Sequence, residues 1–320
     1  MEIYITREIP EVAEVLLKKN KIKVSVFHGN KPITKNTLIK NVKNVDGIIS
    51  LLSDRIDKDV IDSMPKCKVI ANYAVGYNNI DVKYAFQKGI VVTNTPDVLT
   101  ESTAEIAMAL TLACARRIPE GEEIMRKNKF KGWAPKLLLG IELSGKYFGI
   151  IGAGRIGTAV AIRAESFGMK VIYCSNHKNE YLEEVTGAKK VTLDGLLKMS
   201  DVISLHLPLT PQSFHLLDKG KLGLLKTSAI LINTARGEIV DESELINLLK
   251  KRKIFAAGFD VYENEPAVNP KLAGLKNTVL LPHLGSGTIE ARNRMAELAA
   301  KNIIAVLSQK KAITPVRVKS

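Results

Sequence analysis

The run Gly152-Ala153-Gly154-Arg155-Ile156-Gly157 constrains this 320-residue chain more than any other segment, because of what flanks it. The apolar stretch Phe148-Gly149-Ile150-Ile151 precedes it, and a helical pattern from Thr158 to Phe167 follows. In a strand that turns through glycines directly into a helix, each glycine has its own task. Gly152 permits the tight turn, Gly154 lets the backbone approach a pyrophosphate, and Gly157 lets the helix close on the strand while its N-terminus faces the phosphates. The spacing predicts a dinucleotide site built from Gly152, Ala153, Gly154, Arg155, Ile156 and Gly157.

Around this turn the chain alternates strand-like and helix-like segments. Met1 to Ile5, Ile22 to Phe27, Val45 to Leu52, Lys68 to Ala74 and Ile90 to Asn94 read as strands, with helices at about 9–19, 58–64 and 81–88. Thr95-Pro96-Asp97 breaks that series, since the residue before proline is pushed out of the helical region. A long apolar helix from Glu101 toward Arg117 follows, rich in small residues that suit it for a core or for a dimer interface. Six further strands are expected at Tyr147–Ile151, Lys170–Tyr173, Val202–Leu205, Ala229–Asn233, Ala256–Phe259 and Thr278–Leu281. A last helix spans Ile289 to Leu307, and the tail Ile313 to Val318 is expected to return to the first series.

The fold class is therefore α/β. Two Rossmann-like or flavodoxin-like doubly wound parallel-sheet domains are expected, with a cleft between them. The expected division is residues 1–98 with 288–320 as the substrate-binding domain and 99–287 as the dinucleotide-binding domain.

Composition excludes several alternatives. The net charge of +14 comes from lysines scattered singly and in pairs, which reads as a solvated surface and not as a nucleic-acid footprint. No apolar run reaches the roughly 18 residues a membrane span needs, and the start has no signal-peptide character, so a cytoplasmic protein without membrane partners is expected. Cys67, Cys114 and Cys174 are far apart in apolar settings and read as packing residues. No ligand spacing joins the histidines, and no metal is expected.

The end of the second dinucleotide strand bears on the choice of cofactor, because NAD-specific proteins usually place a carboxylate there for the ribose hydroxyls. Here the segment reads Ser175-Asn176-His177-Lys178. It carries no negative charge, and His177 and Lys178 could face a 2′-phosphate. That favours NADP over NAD; an ordinary polar loop that accepts either is the other reading.

A hydride acceptor for a nicotinamide needs its carboxylate held and its carbonyl oxygen protonated. Three residues at expected strand ends suit these tasks. Arg236, in Asn233-Thr234-Ala235-Arg236-Gly237, offers a planar fork for a carboxylate. His283, in Leu281-Pro282-His283-Leu284-Gly285-Ser286, offers an imidazole as acid. Glu265, in Asp260-Val261-Tyr262-Glu263-Asn264-Glu265-Pro266, could orient that imidazole and favour its charged form. Singly, each also reads as structural: a histidine after proline, a loop carboxylate, a surface cap. His206 is expected near the cofactor, whereas His28 falls outside the expected cleft and His215 in a polar turn after Thr210-Pro211.

Taken in order, these motifs resemble the D-isomer-specific 2-hydroxyacid dehydrogenase family over essentially the whole chain. The likeness is strongest to its glyoxylate/hydroxypyruvate reductase branch, through Leu51 to Lys58, Asn72 to Asp81, Thr93 to Thr100 and Trp133 to Lys136. The resemblance implies that Arg236 binds and polarises the substrate, His283 is the acid/base and Glu265 supports it. It places Thr234, Ala235, Asp260 and Gly285 with the cofactor, Asp260 on the nicotinamide side. Amides around Val75 and Gly76 would clamp the substrate carboxylate, and Leu52 and Ser53 would line the pocket. It also implies a homodimer joined through the dinucleotide domains. Relatives of this branch commonly carry an arginine where this chain has Asn176. Phosphoglycerate dehydrogenases carry a phosphate-binding arginine near Ser53, and none is present. The expected reaction is NAD(P)H-dependent reduction of glyoxylate or hydroxypyruvate to glycolate or D-glycerate. Two alternatives stay open: a dehydrogenase of the same family for another substrate such as 3-phosphoglycerate, and a non-catalytic dinucleotide-sensing binding protein.

Overall fold

The computed structural model describes residues 1–317, which form two compact units. The first comprises residues 1–99 together with the chain from Gly287 onward; the second comprises residues 100–286.

In the first unit, β1 (Glu2–Ile5), β2 (Lys23–Val26), β3 (Gly47–Ser50), β4 (Val69–Asn72) and β5 (Val91–Thr93) pair in parallel in the order β2-β1-β3-β4-β5. The strands β3 and β4 are buried throughout, which explains why their residues do not alternate between apolar and polar. Each strand lies inside its expected run. Of the overhanging residues, Leu51, Leu52, Tyr73 and Ala74 lie in the loops at the carboxyl edge. The helix Ile289–Leu307 packs on β3 and β4 with Ala296, Ala299 and Ala300 buried, small side chains that allow a close approach. The tail then bonds to this same sheet, through Val316 N–H to the Val92 carbonyl at 2.8 Å. Val318, the last residue of the expected tail, lies outside the described residues.

In the second unit, β6 (Tyr147–Ile151), β7 (Lys170–Cys174), β8 (Lys189–Lys190), β9 (Val202–Leu205), β10 (Ile230–Asn233), β11 (Ala256–Phe259) and β12 (Thr278–Leu280) form a parallel sheet in the order β12-β11-β10-β9-β6-β7-β8. Seven strands replace the expected six. The added strand, β8, is a two-residue edge of exposed lysines with no apolar pattern to reveal it. Side chains alternate between the two faces. Phe148, Ile150, Ile230 and Ile232 enter one core with the helices Thr100–Ala115 and Arg155–Ser166, while Ile151 and Leu231 enter the other with the helix Glu242–Lys250. A helix over Ile118–Arg126 also went unforeseen. Arg117 breaks the preceding helix in a left-handed conformation and its guanidinium grips Glu120 at 2.8 and 2.7 Å, with Pro119 in the first turn.

Candidate active site

The strand order of the second sheet reverses between β6 and β9, and ligands bind outside the carboxyl ends of strands at such a point. The glycine turn follows β6 there. Gly152 has φ +98°, and a Cβ on it would sit 2.5 Å from the His206 carbonyl oxygen. A Cβ on Gly157 would lie 2.1 Å from the Gly152 carbonyl oxygen. Gly154 differs, because its Cβ would meet nothing within 4 Å. Gly154 is also the N-cap of the helix Arg155–Ser166, and no side chain caps that end. An open backbone face at an uncapped helix N-terminus fits the pyrophosphate of a dinucleotide.

Two residues brace this turn. His206 donates its backbone N–H to the Ile151 carbonyl at 2.8 Å, and its Nε2 lies 2.8 Å from Ser204 Oγ. Burial pushes its imidazole pKa down to about 3. Asn179 was not singled out from the sequence. Its Nδ2 donates to the Ala153 carbonyl and to Thr158 Oγ1, both at 2.9 Å, while its Oδ1 accepts the Leu182 N–H at 3.0 Å as an N-cap. An asparagine just before a helical segment is the signal that could have found it.

After β7, Ser175 is half-buried, and Asn176, His177 and Lys178 are exposed. Lys178 Nζ lies 3.2 Å from Glu183 Oε2, and Lys190 Nζ of β8 donates to the Asn176 carbonyl at 3.3 Å. The segment is thus cationic on two sides, with Lys178 already partnered by a carboxylate.

The chemical groups come from the ends of β10, β11 and β12. Asn233 closes β10; its Nδ2 donates to the Arg236 carbonyl at 2.8 Å and its Oδ1 accepts the Ala235 N–H at 3.0 Å, which shapes the turn that carries Thr234, Ala235 and Arg236. A Cβ on Gly237 would lie 2.0 Å from the Tyr262 carbonyl carbon, so only glycine lets this turn pass the Asp260–Pro266 segment. Burial lowers the Arg236 guanidinium pKa below its ordinary value, against the opposing charges of Glu265 and Glu238.

Glu265 Oε2 lies 2.9 Å from His283 Nδ1, and its Oε1 accepts the Tyr262 N–H at 3.0 Å. Burial alone would raise its carboxyl pKa; the His283 hydrogen bond and charge, the Tyr262 amide and Arg236 outweigh it and leave the pKa below the ordinary range. With Nδ1 engaged, Nε2 is the nitrogen left for proton exchange. His283 adopts φ +55°, a region a non-glycine residue enters only when its surroundings impose it. Asp260 supplies that constraint, since its Oδ1 accepts the Leu284 N–H at 2.6 Å and its Oδ2 the Gly285 N–H at 2.7 Å. Burial raises the Asp260 carboxyl pKa, against those two amides and the His283 charge, and Glu265 adds to the rise. Thr103 Oγ1 completes the clamp by donating to the Gly285 carbonyl at 3.0 Å.

The expected substrate-holding residues Leu52, Ser53, Val75 and Gly76 lie in the first unit, in the loops after β3 and β4. Leu52 and Ser53 are exposed, and Val75 and Gly76 half-buried. Among the described residues, no group of three or more His, Cys, Asp or Glu is placed to hold a metal ion, and no helix is long and apolar enough to cross a membrane.

Residues 108–285 match the family described as D-isomer specific 2-hydroxyacid dehydrogenase, NAD binding domain. The chain belongs to the D-isomer-specific 2-hydroxyacid dehydrogenase family. It is thus an NAD(P)-dependent oxidoreductase, and it shares 48% identity over 308 residues with a glyoxylate reductase of Thermococcus litoralis, which covers 95% of this chain and 93% of the relative. A solved protein of Thermus thermophilus superposes with a TM-score of 0.94 at 42% identity, covering 99% of this chain and 100% of that one. The NADPH-dependent glyoxylate/hydroxypyruvate reductase of Sinorhizobium meliloti, solved with NADP and malonate, gives a TM-score of 0.87 at 33% identity, covering 98% of this chain and 96% of its own.

Proposed function

We propose that the protein reduces glyoxylate and hydroxypyruvate to glycolate and D-glycerate, with NADPH as the preferred reductant. The observation that carries the reading is the Glu265–His283 pair at 2.9 Å, on a loop locked by Asp260, within the same unit as Arg236 and the glycine turn. The bound reduced nicotinamide supplies a hydride to the keto carbon. His283 Nε2 gives a proton to the carbonyl oxygen as the hydroxyl forms, so one hydride and one proton are consumed per turnover. Glu265 holds the imidazole by Nδ1 and stabilises its charged form. Arg236 pairs with the substrate carboxylate and polarises the adjoining carbonyl. Backbone amides around Val75 and Gly76 bind that carboxylate, and Leu52 and Ser53 line the side-chain pocket. Gly152 to Gly157 hold the pyrophosphate, and Thr234, Ala235, Asp260 and Gly285 lie with the rest of the cofactor.

The preference for NADPH is supported by the carboxylate-free Ser175 to Lys178 segment and by Lys190 beside Asn176. A homodimer is part of the same reading. Its support is the concentration of exposed apolar side chains between residues 118 and 139, namely Ile118, Met125, Phe130, Trp133, Leu137 and Leu139.

The test is a matrix of initial rates, with NADPH and NADH each against glyoxylate, hydroxypyruvate, pyruvate and 3-phosphohydroxypyruvate. Fast turnover of the first two, with lower KM for NADPH, is expected. Turnover confined to 3-phosphohydroxypyruvate, or none with any keto acid, would overturn the assignment.

A further inference from the structure

Two asparagines turn successive carbonyls of the loop after β4 toward themselves. Asn94 Nδ2 donates to the Val75 carbonyl at 2.8 Å, and Asn72 Nδ2 donates to the Gly76 carbonyl at 2.8 Å. Both peptides are trans, and in a planar trans peptide the C=O and the following N–H point to opposite sides. The oxygen that Asn94 holds belongs to the peptide carrying the Gly76 N–H, and the oxygen that Asn72 holds belongs to the one carrying the Tyr77 N–H. Both amides are thereby aimed away from the asparagines. Among the described residues neither donates to a protein acceptor.

We infer that Asn72 and Asn94 are positioning residues that aim the Gly76 and Tyr77 amides as a two-donor cradle for the substrate carboxylate. The inference rests on the reading above, in which this loop holds the substrate.

The asparagines are themselves fixed. Asn72 is fully buried at the end of β4, and its Oδ1 accepts from Ser50 Oγ at 3.0 Å. Its Nδ2 also donates to Asn79 Oδ1 at 3.2 Å, while Asn79 Nδ2 reaches the carbonyls of Leu51 at 3.1 Å and Asp54 at 3.0 Å. The loop with Leu52 and Ser53 is therefore tied to the one with Gly76. Asn94 is held on both backbone sides by Thr314, through its N–H at 3.3 Å and its carbonyl at 2.7 Å. The Thr314 N–H in turn donates to the buried Asn302 at 3.0 Å. Both carbonyls, which would otherwise compete for an anion-facing position, are occupied by side chains of residues that are themselves held, Asn72 buried in the sheet and Asn94 half-buried beside the tail.

Asn94→Leu removes the donor at similar volume, and Asn94→Asp removes it at the same shape while adding a charge. In both, KM for glyoxylate should rise about tenfold, the loss of one well-aimed hydrogen bond to a charged group. The value of kcat should stay within about twofold, because ground-state and transition-state binding fall together. The dissociation constant for NADPH, read by fluorescence, and the Tm should not move. A rise in Asn94→Asp alone would make the effect one of added charge and overturn the inference. So would unchanged KM in both variants, or a joint loss of kcat, cofactor affinity and Tm. Absence of wild-type turnover on any keto acid would instead remove the functional reading, and the inference with it.

Discussion

Glu265 acts on the reaction only through His283, and that gives it a signature of its own. Its carboxyl pKa is held below the ordinary range, so the group is ionised throughout the neutral region and loses its charge only as pH falls beneath that range. Any stability it adds is thus present at neutral pH and disappears on acidification. In Glu265→Gln the hydrogen-bonding shape is retained and the charge is lost. Turnover of the variant at neutral pH should be down by roughly one to two orders of magnitude, and its profile should lack the acid-side loss that protonation of Glu265 brings in the wild type. A pH–rate profile superimposable on that of the wild type would show that the carboxylate does not support the acid. The sequence displayed Arg236, Glu265 and His283 as candidates because each follows an apolar strand. It could not display Asp260 as the clamp on the His283 loop or Asn179 as the brace of the glycine turn. Those roles depend on which backbone groups face them, an amide 24 residues on for Asp260 and a carbonyl 26 residues back for Asn179, a matter of packing.

At the scale of elements, the turn from β6 into its helix contains three glycines with different reasons to exist, and substitution separates them. Gly152→Ala places a Cβ against the His206 carbonyl in a left-handed conformation, and a loss of about 2–4 kcal/mol in stability is expected, read as a fall in Tm. Gly154→Ala meets only open space within the protein. It should leave Tm unchanged in the free enzyme and weaken NADPH binding at least about tenfold, because the added methyl occupies the approach of the pyrophosphate. Equal effects of the two substitutions on Tm would contradict this division. The turn was legible because its glycines sit between an apolar strand and a helix. The strand β8 and the helix Ile118–Arg126 were not, for opposite reasons. The first is two exposed lysines fixed by neighbouring β7, and the second, with four charged residues among its nine, buries none of its side chains.

For the whole molecule, the return of the chain to its first unit has a simple physical cause. The five-stranded sheet needs a helix over β3 and β4, and the alanine-rich face of Ile289–Leu307 provides it. The surface of the second unit poses a different problem, since Trp133 is 84% exposed and Met125 and Leu139 are each 62% exposed within one short stretch. Single exposed apolar residues need no explanation, but a row of them does. Covering that row with a second copy removes it from water without requiring another protein, and a self-complementary contact closes after two chains. Light scattering coupled to size exclusion should therefore give twice the monomer mass at micromolar concentration. Replacing Phe130, Trp133 and Leu139 together with serine should halve that mass and leave the far-UV spectrum unchanged, because none of the three belongs to the buried cores. A wild-type protein that elutes as a monomer over this concentration range would remove the dimer from the proposed function. A triple variant that stays dimeric would place the contact on another face.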